Sequence, residues 1–472
     1  MSEDIEDKHS VSIDEAIEEC GFGWFQIRLC LLCGMGYFAV GSEILAMVMT
    51  QSEVMKTFDI STSSQYSLLP FFANLASFLS AIIVGQWTDI SGRKWPFITS
   101  IWLSAIFGIC CGACSFSFWS LILFRSLVGF GLGGITVVDY IVMVESCPMK
   151  WKNVACQIVF VSGCFGVVYI AILGMLPLDS VIAGVAPWRV MMVLGAAPLI
   201  ITAILRMLIS TDTPKYLYSK GDEKKAFDLV ENIRRTNSKF PRICWDQGSV
   251  NRGGEVSDTK TTASNIPSSM VENLKQVLRY PITVPLSIVW IVQSLVYWGL
   301  TIFLPIFLSR SGISPNNGLL CMAIAELPGV AFALWMSVKF GRIIALITCL
   351  SVSCLGATMT GVSCLMAPDG SYWNLVGITV FYMALIPIWG VLFVLTPELY
   401  SISIRGTGTG FQHMCKSVPS LFAPFVAAAI LDRNEEYVFM FIWASVLLVG
   451  VVSSFWLKAN HVVANLESCL AS

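Results

Sequence analysis

The chain is built from long apolar runs separated by short polar breaks. Runs lie near Ile27–Thr50, Gln65–Trp87, Trp95–Cys114, Phe118–Cys147, Ala155–Leu178 and Pro187–Ile209. A second set follows near Pro281–Leu308, Gly318–Phe340, Ile343–Met366, Trp373–Thr396, Thr407–Leu431 and Tyr437–Leu457. A helix of about 20 apolar residues crosses the roughly 30 Å hydrocarbon core of a bilayer, and each run reaches that length. The one long polar segment, Ser210 to Arg279, falls between the two sets. It opens with a helix-like charged stretch, Asp222–Arg235, and passes into Gly/Ser/Asn-rich sequence, Gly248–Ser269, whose composition is that of a mobile linker. The pattern predicts an all-α membrane protein with twelve transmembrane helices in two six-helix bundles, residues 27–209 and 281–457. Residues 1–26 are expected as an N-terminal tail, 210–280 as the linker and 458–472 as a C-terminal tail.

Composition agrees. Of 472 residues, 56% are hydrophobic and only 13% charged, with a mean hydropathy of +0.73. Soluble domains are about one-quarter charged, so the bilayer is the main solvent here. A net charge of −2 and a pI near 6.0 give no reason to expect a nucleic-acid partner. The tail Met1–Cys20 is acidic and lacks the basic and apolar regions of a cleaved signal peptide, so the first span is expected to stay and to act as the targeting signal. Most of the sixteen Cys lie inside apolar runs, where Cys behaves as a small hydrophobe. The three His are scattered, and no Cys pair stands beside a His cluster, so neither a metal site nor a disulfide framework is expected. There is no Gly-x-x-x-x-Gly-Lys-Ser/Thr loop and no nucleophile–base pair above chance spacing. The sequence therefore gives no sign of an ATP-driven pump, a membrane enzyme or a bound cofactor, and nothing in it requires an oligomer.

Basic residues set an expected orientation. Arg93/Lys94, Lys150/Lys152, Lys339/Arg342 and Arg405 fall in alternate short breaks, on the side of the linker, which adds Lys215, Lys220, Lys224, Lys225, Arg234 and Arg235. The opposite breaks carry single charges, at Lys56, Arg189, Arg310 and Arg433. By the positive-inside rule both termini and the linker are cytoplasmic; the acids of the first tail count for little in it.

The two sets repeat each other. Glu145 precedes Lys152 by seven residues after the fourth span, as Glu398 precedes Arg405 after the tenth. Gly92-Arg93 after the second span is echoed by Gly341-Arg342 after the eighth. A parallel six-plus-six duplication places a site between the halves, which rocking exposes alternately.

The strongest local signal is Gly85-Gln-Trp-Thr-Asp89-Ile-Ser-Gly92-Arg93-Lys94, between the second and third spans. A turn packed between helix ends needs glycines for close approach. An acid there can face a helix N-terminus, an interaction worth about 0.3–1 kcal/mol. The decapeptide resembles the signature loop of the major facilitator superfamily; the plainer reading is a basic loop that only fixes topology. Its second copy is degraded, with Val338 where the acid would stand and Ile343 in place of the lysine. Arg125-Ser-Leu-Val-Gly129-Phe-Gly131-Leu-Gly133-Gly134 in the fourth span is similar to the superfamily's second motif. Its glycines suit close helix packing. Arg125 either snorkels to the outer interface or takes part in coupling.

Further segments carry the likeness. Asp212-Thr-Pro214-Lys-Tyr216-Leu resembles the acid-Ser-Pro-Arg-Tyr-Leu segment of sugar porters and their relatives, and Thr396-Pro397-Glu398-Leu-Tyr400 through Arg405-Gly406 resembles the matching stretch after the tenth span. Glu145-Ser-Cys-Pro148, Glu18-Glu-Cys-Gly21-Phe-Gly23-Trp, Tyr297-Trp298-Gly299 and Glu326-Leu-Pro328-Gly329 are most similar to the synaptic-vesicle-two-related (SVOP) branch, whose relatives include niacin and organic-ion transporters. The resemblance covers nearly the whole chain outside the linker. Departures narrow it. The sugar porters' glutamine pair in the seventh span is reduced to Gln293, which disfavours a hexose, and the fifth span lacks a Gly-Pro-rich antiporter motif. The first outer break, about 51–64, is short, no Asn-x-Ser/Thr sequon occurs, and no large loop follows the seventh span.

The resemblance implies a secondary transporter of a small organic solute in a plasma or secretory-type vesicle membrane, with Asp89, Arg93 and Glu145 with Lys152, and Glu398 with Arg405, holding the cytoplasmic gate. The alternative is a transporter-like protein that binds a ligand without net transport. Ionisable groups deep in spans are costly and ask for a partner or a cavity. Glu43, a lone carboxyl near the middle of the first span, is the first choice for a proton- or cation-binding group; otherwise it is a hydrogen-bonded structural acid. Asp139, central in the fourth span, and Glu326 in the eighth are read as structural or coupling groups, and a cavity shared with Glu43 is open to Asp139. Tyr297 and Trp298 can stack on a planar or cationic solute, or simply pack. His413 and Lys416 stand one turn apart in the eleventh span and suit an anion, whereas Glu43 and Asp139 suit a cation. The sequence leaves the solute's charge open.

Overall fold

The computed structural model describes residues 13–176, 184–237, 266–366, 372–400, 404–433 and 436–471. Expectations that rest on the side chains of Asp89 and Arg405, or on residues 177–178 and 248–265, lie outside the described residues. In chain order the helices are α1 (Ile13–Cys20), α2 (Trp24–Met49), α3 (Gln51–Thr57), α4 (Ser63–Tyr66), α5 (Leu68–Ser91), α6 (Lys94–Ala113), α7 (Phe118–Ser146), α8 (Lys152–Leu173) and α9 (Pro187–Ile209). There follow α10 (Pro214–Ser219), α11 (Glu223–Asn237), α12 (Ile266–Arg279), α13 (Thr283–Arg310), α14 (Pro315–Phe340), α15 (Arg342–Met366), α16 (Tyr372–Leu399), α17 (Arg405–Arg433) and α18 (Glu436–Ala471). Twelve of these are long and apolar enough to span a bilayer, and each covers one of the apolar runs.

The first half packs α2 on α8 and α9, α5 on α7, and α6 on α7 and α9. The second repeats the scheme: α13 packs on α17 and α18, α14 on α16, and α15 on α16 and α18. The duplication in the sequence is thus a duplication of helix neighbours. Across the middle α5 meets α17, α8 meets α14 and α2 meets α13.

Local chemistry explains the close approaches. Ser117 caps α7, accepting from the Ser120 N–H at 3.2 Å while Ser120 Oγ accepts from the Ser117 N–H at 3.0 Å. The glycines of α7 then serve two neighbours. A Cβ on Gly129 or Gly133 would lie 2.3 or 2.4 Å from the carbonyls of Ala73 and Ser77 on α5. One on Gly131 or Gly134 would lie 2.1 or 2.3 Å from the hydroxyls of Ser104 and Ser100 on α6. Small residues are what let the three backbones meet.

Outside the spans, α1, α10 and α11 form a small cap on the first half. Ile13, Ala16, Ile17 and Cys20 bury against Ala226, Val230 and Ile233. Asn237, at the end of α11, accepts from the Phe25 N–H and donates to Gln26 Oε1 at 2.9 Å, which ties the cap to the start of α2. By contrast, α12 packs on α13 and α17 in the second half.

Candidate functional site

At the linker end of the first half, Gly92 turns the chain with φ +94°, a conformation that suits glycine. The turn delivers Arg93 to Glu145, with Nε and Nη2 donating to the two carboxylate oxygens at 3.0 and 2.7 Å. Glu145 also accepts from the Thr213 hydroxyl, and the Arg93 guanidinium lies 4.7 Å from the Tyr216 ring centre. Asp212 occupies the N-terminus of α6, accepting from the backbone N–H groups of Arg93 and Lys94 at 2.9 and 3.0 Å. In the second half Arg342 pairs with Glu398, the counterpart of Arg93 with Glu145.

Two expectations fail here. Lys152 forms no ion pair with Glu145 and turns its ammonium to Met149 Sδ at 2.9 Å, because the chain breaks between α7 and α8 and Lys152 starts the next helix. Gly85 needs no room, since a Cβ there would meet nothing within 4 Å; Gly92 is the crowded position, where a Cβ would lie 2.6 Å from Asp212 Oδ1. The Lys94 side chain lies on Trp95, 6.0 Å from its ring centre.

Inside the first half two carboxylates are neutralised. Glu43 is bound by Arg125, which also donates to the Glu43 carbonyl at 2.5 Å, and the two side chains are 1% and 3% exposed. Glu43 is therefore not lone, and Arg125 turns inward rather than snorkelling. Asp139 accepts from Arg206 Nη2 at 2.7 Å, with both side chains fully buried and the guanidinium 3.8 Å from the Phe97 ring centre. Gly36 makes the space, since a Cβ would lie 2.1 Å from Arg206 Nη2. Asp139 does not share the Glu43 site: fourteen residues of α7 separate it from Arg125, roughly 21 Å of helix. Sequence reasoning passed over Arg206. The available signal was a guanidinium inside the sixth apolar run, which in a bilayer asks for a carboxylate.

The second half presents a different chemistry to the interface. Trp290, Trp389, Phe393 and His413 form one ring cluster, with His413 5.5 Å from Phe393 and 5.7 Å from Trp290. Lys416 Nζ sits 5.3 Å from the Trp389 centroid and 5.1 Å from that of Phe393. Among the described residues Lys416 forms no ion pair, and both it and His413 keep partial exposure. Tyr140 of the first half closes on the cluster, 5.9 Å from Phe393. Tyr297 reaches it from the other side, 5.7 Å from Trp389, and carries Trp298 at 5.2 Å.

Glu326 is apart from these. It is 6% exposed and lines a cavity of about 30 Å³ between the halves, with Ile44 and Val167 from the first and Tyr297, Met322 and Tyr382 from the second. The Cys164 thiol stands beside it.

The halves are joined nearer the linker by Gln157, which donates to the Gly390 carbonyl at 2.8 Å, and by several contacts at the far end. Ser63 donates to Asp432 at 2.6 Å, Asn74 to the Ser420 carbonyl at 3.1 Å and Asn316 to the Gly174 carbonyl at 2.8 Å, while Phe71 packs on Phe425. Toward the linker end a cavity of about 570 Å³ remains between α8, α14 and α16, lined largely by apolar side chains with Gln157 and Arg342 among them.

Two pseudo-repeated six-helix halves that meet along a shared interface define a multi-pass integral membrane protein with the major facilitator transporter fold. The chain belongs to the sugar (and other) transporter family, whose match spans residues 30–468. It is 24% identical over 461 residues to the niacin transporter NiaP of Acinetobacter baylyi, covering 93% of this chain and 94% of that one. It is 23% identical over 472 residues to the synaptic vesicle 2-related protein of Rattus norvegicus, covering 94% and 80%. These relatives lie in the branch that the motifs resemble. In fold it is similar to the xylose transporter XylE from E. coli in a partially occluded inward open conformation, with a TM-score of 0.71 at 15% identity over 92% of this chain and 97% of that one.

Proposed function

We propose that this protein is a secondary transporter that carries a small planar organic anion by alternating access, driven by a proton or cation gradient. The observation that carries the reading is Lys416, a cation without a carboxylate partner among the described residues, held against the faces of Trp389 and Phe393. Glu43 and Asp139, the groups that would suit a cationic solute, are spent on Arg125 and Arg206. A flat anion can pair with the ammonium while stacking on the rings. Nicotinate, the solute in the name of the bacterial relative, has that chemistry.

The bundles 27–209 and 281–457 are the rocking bodies, with both termini and the linker in the cytoplasm. In that orientation the hydrogen bonds of Ser63 to Asp432 and of Asn316 to the Gly174 carbonyl lie on the outer side. Asp89, Arg93 and Glu145, with Glu398, Arg342 and Arg405, belong to the cytoplasmic gate. A vesicle membrane is the setting that the name of the rat relative supports.

The test is uptake by purified protein in liposomes, after a thermal-shift screen of aromatic carboxylates, quaternary ammonium ions and sugars. Saturable nicotinate-like uptake that Lys416→Gln abolishes is the expected result. Uptake of the ammonium ions with no response to aromatic carboxylates overturns the anion.

A further inference from the structure

Among the described residues three acidic side chains lie buried within the spans, and two of them, Glu43 and Asp139, are held by arginines. Glu326 is the third. The groups that face it are the thiol of Cys164 on α8 and the phenols of Tyr297 on α13 and Tyr382 on α16; α2 contributes Ile44 and Leu45, and α14 itself Met322 and Ala323. None of these is basic. A carboxylate ion sealed there would stand without a counter-charge in the low-dielectric middle of the membrane, a costly arrangement. A neutral carboxylic acid fits.

The position of the pocket gives this a use. Its walls come from both halves, so it exists as a closed space only while α2 and α8 lie against α13 and α14. At about 30 Å³ it has room for water and none for an organic solute. Parting of the halves at the far end would flood it. Tyr297 is shared: it lines the Glu326 pocket and its ring touches Trp389, on whose face Lys416 rests.

We infer that Glu326 is the proton carrier of this transporter, loaded from the side away from the linker and required in its neutral form for that side to close. This rests on the transport reading above and deepens it by naming the coupling ion and its site. The step moves one proton from water onto a Glu326 carboxyl oxygen while the pocket is open. The O–H persists through closure, and the proton returns to water on the linker side once the solute has left the Trp389–Lys416 site and water reaches Tyr297. No other bond changes. One proton carried with one monoanion makes the cycle electroneutral.

Two measurements test this separately from the identity of the solute. In the first, hydrogen exchange is followed by mass spectrometry on purified, ligand-free protein at pH 6 and pH 8, corrected for the intrinsic rate. Peptides over 41–50, 164–173 and 315–326 should lose protection at pH 8 in the wild type and stay protected at both pH values in Glu326→Gln. A wild type with no pH dependence there, or a Gln variant that keeps it, overturns the inference. Gln preserves size and hydrogen bonding, and an unchanged thermal midpoint at pH 6 establishes that it folds. In the second, liposomes with an alkaline interior are offered labelled nicotinate. Glu326→Gln should lose accumulation above equilibrium yet keep exchange of labelled for unlabelled nicotinate. Retained pH-driven accumulation in the variant overturns the role of Glu326. Absence of nicotinate uptake in the wild type, with the pH-dependent exchange pattern intact, instead overturns the proposed solute and leaves the proton site supported.

Discussion

Arg125 binds Glu43 twice, once through the carboxylate and once through the backbone carbonyl of the same residue, and so fastens α7 to α2 in the interior of the first half. Removing one member of a buried pair strands the other, at a cost of about 3–5 kcal/mol. Glu43→Gln is therefore expected to lower the thermal midpoint in detergent rather than to uncouple transport, and Glu43→Gln combined with Arg125→Met should recover much of the loss. Normal stability of Glu43→Gln with lost pH-driven accumulation would return coupling to Glu43.

Gly92 and Gly341 are matched positions with different surroundings. Both have positive φ, +94° and +91°, so alanine strains the backbone at each, by about 1–3 kcal/mol. Only at Gly92 does the new Cβ run into Asp212, the acceptor for two backbone N–H groups at the start of α6. Gly92→Ala should melt clearly below Gly341→Ala in a thermal unfolding series. The reverse order would mean that Asp212 is free to move aside.

Trp389 offers the face on which Lys416 rests. Trp389→Ala is expected to cut uptake of an aromatic carboxylate probe by tenfold or more, with Trp389→Phe much closer to wild type and both folded by size-exclusion profile. Equal loss in both variants would point to packing against Trp290 and Phe393 instead of to a stacking surface.

Cys20 reports on the cap. Burial between α1 and α11 pushes its thiol up to about 11, against the field of Arg234. A raised thiol favours the docked state below pH about 9, and that contribution is lost as pH rises through about 11. At pH 8 a maleimide should modify the exposed Cys114 and spare Cys20, as read by peptide mass spectrometry. Val230→Asp, which breaks the apolar contact under α1, should speed Cys20 modification by tenfold or more. Fast labelling of Cys20 in the wild type would mean that the cap is undocked in solution.

Orientation is open to a direct check. An epitope placed within 248–265 should be reached by antibody only after cells are permeabilised. Staining of intact cells would invert the assigned topology.

The twelve spans were legible because a run of apolar residues long enough to cross a bilayer needs no partner to be recognised. The repeat was legible for a related reason: Gly92-Arg93 and Gly341-Arg342 return at matching span ends, and in space each arginine takes the glutamate, Glu145 or Glu398, that ends the span two further on. What stayed hidden were relations between helices. A sequence gives the depth of Glu43 and of Arg125 only to within a turn or so and says nothing of how α2 and α7 are rotated, so their pairing could not be read. For the same reason the sequence left open whether Asp139 shares the Glu43 cavity, where the structure pairs it with Arg206. Lys152 was grouped with Glu145 through the family resemblance, which does not show that the chain breaks after Ser146 and starts a new helix at Lys152. The aromatic setting of Lys416 comes from three helices, α13, α16 and α17, that lie far apart in sequence.

The polar segment between the two sets of spans is shared out unequally: α10 and α11, with α1, attach to the first half, and α12 to the second. Each half thus keeps its own ion pairs, its own amphipathic helices and its own copy of the turn, and the chain is divisible where those attachments change hands, between 238 and 265. Two polypeptides cut there and made in one cell keep the described ion pairs, helices and turn of each half. They should find each other through the surfaces that close the far end and work as one carrier, with the covalent tether serving to keep two self-sufficient modules in equal number.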